Sequence, residues 1–204
     1  IVSEFLQGVM LYELLQGKTT DINGETVEYA EELYALCAND RVKFAKLVVS
    51  NILAGVMALH DRGYIHRDID PSNIMITVDR KIKLIDFGIA KKVKESFNNT
   101  QSLTKFGSFV GKPSYAAPEL ITGDVSAHNY STDLYQVGVL LYELMVGTRP
   151  FTGAEHEVMN MQINSPVPIE NVSHAGIAQI IKKAMNKSQS DRYNSAAQFK
   201  AEYK

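Results

Sequence analysis

The sequence predicts an α+β fold, mainly α-helical, organised as one domain with a short β-hairpin. Three observations carry this. Val42, Ala45, Val49, Ile52, Leu53, Val56 and Leu59 recur with helical period over residues 41–61, giving one long helix with an apolar face. Residues 131–146 are apolar nearly all round, the pattern of a helix buried on every side. Two short apolar runs, 74–77 and 81–85, flank a turn around Asp79 and read as a hairpin. With 204 residues, 45% of them hydrophobic, the chain can bury one sizeable core.

In chain order, residues 1–6 read as a strand, Gln7-Gly8 punctuates it, and residues 9–16 follow a helical pattern. Residues 17–24 are polar and turn-rich, and residues 27–37 can form a short extra helix. Asn39 or Asp40 can cap the long helix, which Gly63 ends. Residues 89–116 are polar and rich in Ser, Thr and Asn, a loop long enough to carry function. Further helices are expected over residues 153–164, 173–186 and 193–203, and no internal repeat is visible. The chain opens on Ile1 rather than Met, in an apolar run with no turn or cap before it, which leads us to expect a piece of a longer protein.

Composition narrows the function. A formal net charge of -2 gives no basic footprint for nucleic acid, and the pairs Lys91-Lys92 and Lys182-Lys183 read as solvated faces. The single Cys37 rules out an intramolecular disulfide framework, suits a reducing cytosol, and reads as a small buried hydrophobe. The longest apolar run, 137–146, contains Tyr142 and Glu143 and falls short of the roughly 20 residues that cross a bilayer. No signal peptide is visible, so we expect a cytoplasmic protein without a membrane segment in this chain. The His residues form no metal cluster, and His66 reads as a packing and hydrogen-bonding residue.

Chemistry concentrates in residues 64–73 and 86–88. An Asp and an Asn on one loop, with a second Asp after a hairpin, can set one proton acceptor and two metal ligands around one phosphate. His66-Arg67-Asp68 to Asn73, Asp86-Phe87-Gly88 and Ala117-Pro118-Glu119 stand in the order of three known motifs. They resemble the catalytic-loop, metal-loop and activation-segment motifs of eukaryotic-type (Hanks-type) serine/threonine protein kinases. The resemblance spans nearly the whole chain. It implies the C-terminal, large lobe over residues 9–204, with residues 1–8 as the last small-lobe strand and hinge. The catalytic loop is then 64–73, the activation segment 86–119, and the small lobe is absent from this chain. The tail Asp191-Arg192-Tyr193-Asn194-Ser195-Ala196 resembles the end of bacterial members.

The resemblance also implies roles. Asp68 would accept or orient the proton of an attacking hydroxyl, and Asn73 and Asp86 would hold Mg2+. ATP would meet the backbone of Glu4 and Leu6 at its adenine edge, with Ser3 as gatekeeper and Met75 and Ile85 at the floor and rear of the pocket. Arg67 and Lys91 could receive a phosphate placed on Ser102, Thr104 or Ser108. Glu119 and Arg192 would form a buried ion pair, and Asp133 would accept hydrogen bonds from the catalytic-loop backbone. The implied partners are a protein substrate bearing a Ser or Thr hydroxyl and the chain's own small lobe, supplied upstream.

Two residues depart from the family pattern. Asp70 stands where serine/threonine kinases usually carry a Lys, and Lys112 where they usually carry a Thr. An acid beside a transferring phosphate repels it unless compensated, so we expect a coupled charge swap with the Lys112 ammonium within about 6 Å of Asp70. No G-x-G-x-x-G loop, strand Lys or helix Glu is found, so this polypeptide alone should bind ATP poorly and transfer phosphate slowly or not at all. The alternative reading is a catalytically silent kinase-like (pseudokinase) binding or scaffolding module. A small-molecule phosphotransferase fits less well, because the activation segment and Glu119 with Arg192 point to a protein-kinase lobe.

Overall fold

The computed structural model describes residues 6–86, 91–92 and 111–203. A small antiparallel sheet, β1 (Gly8–Met10), β3 (Ile74–Thr77) and β4 (Ile82–Leu84), runs in the order β1-β3-β4. Its register places Gly8 opposite Thr77, Met10 opposite Met75 and Ile74 opposite Leu84. A second antiparallel pair joins β2 (Tyr64–Ile65) to β5 (Lys91–Lys92). The helices are α1 (Leu11–Leu15), α2 (Glu28–Asn39), α3 (Arg41–His60), α4 (Pro118–Thr122), α5 (Tyr130–Val146), α6 (Glu155–Asn164), α7 (Ala175–Ala184) and α8 (Ala196–Glu202).

The predicted hairpin and long helices form, with three corrections. Val9 and Met10 belong to β1 rather than to a helix over 9–16, because Val9 is fully buried and pairs with Ile76 across the sheet. The approach there is so close that a Cβ on Gly8 would meet the Ile76 carbonyl oxygen. Residues 193–195 are not helical, since Ser195 caps α8 by accepting from the Gln198 amide at 3.1 Å while Tyr193 stacks on Phe199. On α3, Val42 and Leu59 are only partly buried, while Phe44 and Val48 are fully buried and complete the apolar face.

Asp40 caps α3 through the Lys43 amide at 2.9 Å. Among the described residues α3 alone is long and apolar enough to cross a membrane. Here its apolar face packs against α2, α5, α8 and β4 within the hydrophobic core. The segment before α2 is a loop folded on Asp21, whose carboxylate accepts from the amides of Asn23 and Glu25 at 2.9 Å and from the Gln7 side chain at 2.5 Å. The helix α2 then lies over α3 and β3, and its Glu32 receives a fork of two hydrogen bonds from Arg80 in the hairpin turn.

Helix α5 is the central element, buried at every position from Ser131 to Tyr142 and packed on α3 and α7. Asn129 caps it by accepting from the Ser131 amide at 2.8 Å. Gly138 is where α7 comes closest: a Cβ there would lie 2.8 Å from the Ala184 Cβ and 2.9 Å from the Met185 Cγ. Gly138→Ala is therefore expected to destabilise the fold by about 1–3 kcal/mol through overpacking, seen as a lower melting temperature in thermal denaturation.

Candidate active site

The loop between β2 and β3 is held from below by α5. Asp133, fully buried, accepts from the His66 amide at 2.9 Å, the Arg67 amide at 2.8 Å and His60 Nε2 at 2.7 Å. One turn on, Gln136 accepts from the Ile69 amide at 3.2 Å and donates to the Arg67 carbonyl at 3.0 Å. These clamps fix Arg67 in the left-handed region, at φ 69°, where a non-glycine residue is uncommon. Asp86 also lies there, at φ 59°. Both ends of the site thus hold a backbone conformation uncommon for non-glycine residues, which among the described residues only Arg80 of the hairpin turn shares, at φ 62°.

A single 3-10 turn, Pro71–Asn73, follows, capped by Asp70 through the Ser72 amide at 2.7 Å. It aims Asn73 back at the loop: the Asn73 side-chain amide donates to both the carbonyl and the carboxylate of Asp68, each at 2.9 Å. With both side-chain N–H groups directed to Asp68, the Asn73 side-chain oxygen Oδ1 is the pole left for a cation. The Ile85 amide donates to the Asn73 carbonyl at 2.8 Å, and His66 Nε2 lies 3.1 Å from the Ile85 carbonyl, so Asp86 emerges beside the loop. The Asp68 amide donates to His66 Nδ1 at 3.3 Å, which leaves Nε2 to carry the proton that binds the Ile85 carbonyl.

Burial raises the pKa of the Asp68 carboxyl, and the nearby negative charge of Asp70 raises it further. The Asn73 hydrogen bond and the Lys112 charge pull the other way without cancelling the rise. Lys112 Nζ lies 2.7 Å from Asp70 Oδ1, within the separation expected of the pair, and also binds Ser72 Oγ. An oxygen-rich pair such as Asn73 and Asp86 fits Mg2+, which keeps several waters and needs few protein ligands. No group of three or more His, Cys, Asp or Glu able to hold a metal occurs among the described residues.

Farther along, Glu119 and Arg192 meet at 2.9 and 3.1 Å in a fork, with Thr132 donating to the same carboxylate at 2.8 Å. Burial acts to raise the Glu119 pKa, but the Arg192 guanidinium outweighs it and holds the carboxyl below its ordinary range. Of the residues expected at an adenine site, Leu6, Met75 and Ile85 are each partly exposed; Met75 faces away from the buried Ile74 and Ile76 on the same strand. Ser3, Glu4, Phe87, Gly88, Ser102, Thr104 and Ser108 lie outside the described residues, and Lys91 is described only as backbone in β5.

Three supports escape the sequence reading. His60 bridges α3 to Asp133 and stacks on Tyr130 with ring centroids 4.5 Å apart. Gln136 bonds the loop, and its signal was a polar residue inside an otherwise apolar helix. Tyr115 donates to Glu143 at 2.5 Å and anchors the segment before α4; nothing local in the sequence marks that pairing.

A helical lobe with a three-stranded sheet, carrying an Asp and an Asn on a clamped loop and an Asp at the exit of a hairpin, is the architecture of a protein-kinase large lobe. The chain belongs to the protein kinase domain family, whose pattern it matches over residues 2–203. It is 36% identical over 166 residues to the serine/threonine-protein kinase pkn3 of Myxococcus xanthus, covering 76% of this chain and 30% of that protein. It is 33% identical over 147 residues to the Arabidopsis thaliana serine/threonine-protein kinase AtPK2/AtPK19, covering 70% and 29%. To the serine/threonine-protein kinase PknB of Mycobacterium tuberculosis it is 32% identical over 161 residues, covering 76% and 25%. The chain thus spans 30% or less of the length of these relatives.

Proposed function

We propose that this chain supplies the large-lobe half of an ATP-dependent kinase that transfers the γ-phosphoryl group to serine and threonine hydroxyls of proteins. The single observation that carries the reading is the Asn73 side chain, donating at 2.9 Å to Asp68 while the Asn73 carbonyl receives the Ile85 amide at 2.8 Å. One residue thereby ties the proton acceptor to the strand that delivers Asp86. In this reading Asp68 accepts the proton of the attacking hydroxyl, and its raised pKa keeps it a stronger base than an ordinary aspartate. The Asn73 side-chain oxygen and the Asp86 carboxylate would hold magnesium, which when bound would neutralise charge on the phosphates. The Leu6 backbone meets adenine at its edge, and Met75 and Ile85 form the floor and rear of its pocket.

The Gly-rich loop and strand lysine that such a reaction uses do not occur in this sequence, and the reading assigns them to an upstream small lobe. The sole Cys37, whose thiol is pushed up by burial, is consistent with a reducing cytoplasmic setting. Arg67, directly before Asp68 in the chain, together with Lys91, would receive phosphate from Ser102, Thr104 or Ser108. A catalytically silent scaffold is the competing reading, favoured by one feature, the acid at Asp70.

In the full-length protein, Asp86→Ala is expected to abolish magnesium-dependent ATP turnover. If the unsubstituted protein neither binds nucleotide nor turns it over, the scaffold reading stands instead.

A further inference from the structure

We propose that Lys112 is the cation that contacts the transferred phosphate, and that Asp70 and Ser72 are positioning residues that hold it there. The inference rests on the phosphotransfer reading above and adds a division of labour to it. Asp70 is almost fully buried, at 2% side-chain exposure, whereas Lys112 is 49% exposed. A carboxylate so placed cannot act on a substrate; it can act through what it binds. Its Oδ1 accepts from the Ser72 amide and from Lys112 Nζ, both at 2.7 Å, and its Oδ2 is buried without a hydrogen-bond partner among the described residues. Lys112 is therefore the cation that offsets this buried charge.

The ammonium group has three N–H donors. One goes to Asp70 Oδ1 and one to Ser72 Oγ, and the third has no acceptor among the described residues, on a side chain open to solvent. Ser72 adjoins Asn73, whose side chain binds Asp68, so Lys112 is tied to the loop that carries both residues. The charge of Lys112 is felt at Asp68 itself.

The location of Lys112 is fixed from the other side as well. The turn Pro113–Tyr115 that follows it is held by Gln162, which donates to the Ser114 carbonyl at 2.7 Å, and by Arg149, which donates to Ser114 Oγ at 2.7 Å. Tyr115 is anchored to Glu143 on α5. A charge at Asp70 itself would sit permanently in the catalytic loop. Placed at Lys112, it belongs to the segment leading into α4, so it serves the phosphate only while that segment is docked on α5 and α6. Docking of the segment then sets turnover and not merely substrate affinity.

The test compares steady-state transfer of the γ-phosphoryl group from magnesium-ATP to a Ser/Thr peptide by full-length proteins. Lys112→Met is expected to lower kcat about 10²–10³-fold, the scale set by loss of one preorganised charge-stabilising donor, with a smaller change in the peptide KM. Lys112→Arg should retain most of kcat. Because Lys112→Met strands a buried charge, the neutral pair Asp70→Asn with Lys112→Met is measured beside it. The pair should melt and bind nucleotide like the parent yet show the same loss of kcat, and Asp70→Asn should add nothing once Lys112 is gone. A parent that transfers phosphate while the neutral pair matches its kcat overturns the inference alone. A parent that transfers none removes the phosphotransfer reading, and this inference with it.

Discussion

Asp68→Asn in the full-length protein is expected to lower kcat by about 10²–10⁴-fold, the usual weight of a positioned general base, with little change in nucleotide affinity. The substitution keeps an oxygen for the Asn73 side-chain amide, which donates to Asp68 at 2.9 Å, so the loop should hold its shape. Only the proton-accepting charge is lost. The same residue sets a pH signature. Activity needs the ionised carboxylate, and burial together with Asp70 raises its pKa, so the acidic limb of kcat/KM lies above the range of an ordinary aspartate. Asp70→Asn removes one of those two causes and should move the limb to lower pH. A peptide-phosphorylation profile across the acidic range measures both effects.

The second large effect concerns folding. Arg192→Ala leaves Glu119 as an uncompensated charge at a site where the two side chains are 6% and 0% exposed. Breaking such a pair costs about 3–5 kcal/mol, which for a domain of this size lowers the melting temperature by roughly 6–20 °C. Arg192 also donates to the carbonyls of Asn186 and Lys187 at 2.6 and 3.0 Å, so the loop before α8 loosens with it. The pH dependence has a definite sign. Glu119 has a depressed pKa in the fold, so its contribution is complete above the ordinary carboxylate pKa and is lost as pH falls through the folded value. In Arg192→Ala the guanidinium no longer lowers that pKa, and burial is opposed only by the Thr132 and backbone hydrogen bonds, so the depression shrinks and the variant should lose less stability on acidification than the parent. Thermal denaturation of both proteins at two pH values measures the difference in slope.

Much of the fold and of the site is legible in the sequence. Helical period marks α3 by its long apolar face, all-round apolarity marks α5, and two short apolar runs flanking a turn mark the hairpin. The motif residues Asp68, Asn73 and Asp86 were legible because chemistry restricts which residue types can serve at those spacings. The Asp70–Lys112 pair was legible as two compensating oddities, although the part played by Ser72 was not. What stayed hidden was long-range. Nothing near His60 points to Asp133, and nothing near Tyr115 points to Glu143, because both pairings are made by packing distant helices. Val9 and Met10 fit the helical pattern of residues 9–16 yet form strand, because their partners Ile76 and Met75 lie far along the chain and strand pairing is not a local property.

The decisive measurement of phosphoryl transfer uses γ-labelled ATP, magnesium and a Ser/Thr peptide mixture with the full-length protein. Label is expected on Ser and Thr hydroxyls, and it should disappear when magnesium is chelated and in Asp86→Ala. Absence of label from the unsubstituted protein with magnesium present, together with no detectable nucleotide binding, would contradict the phosphotransfer reading.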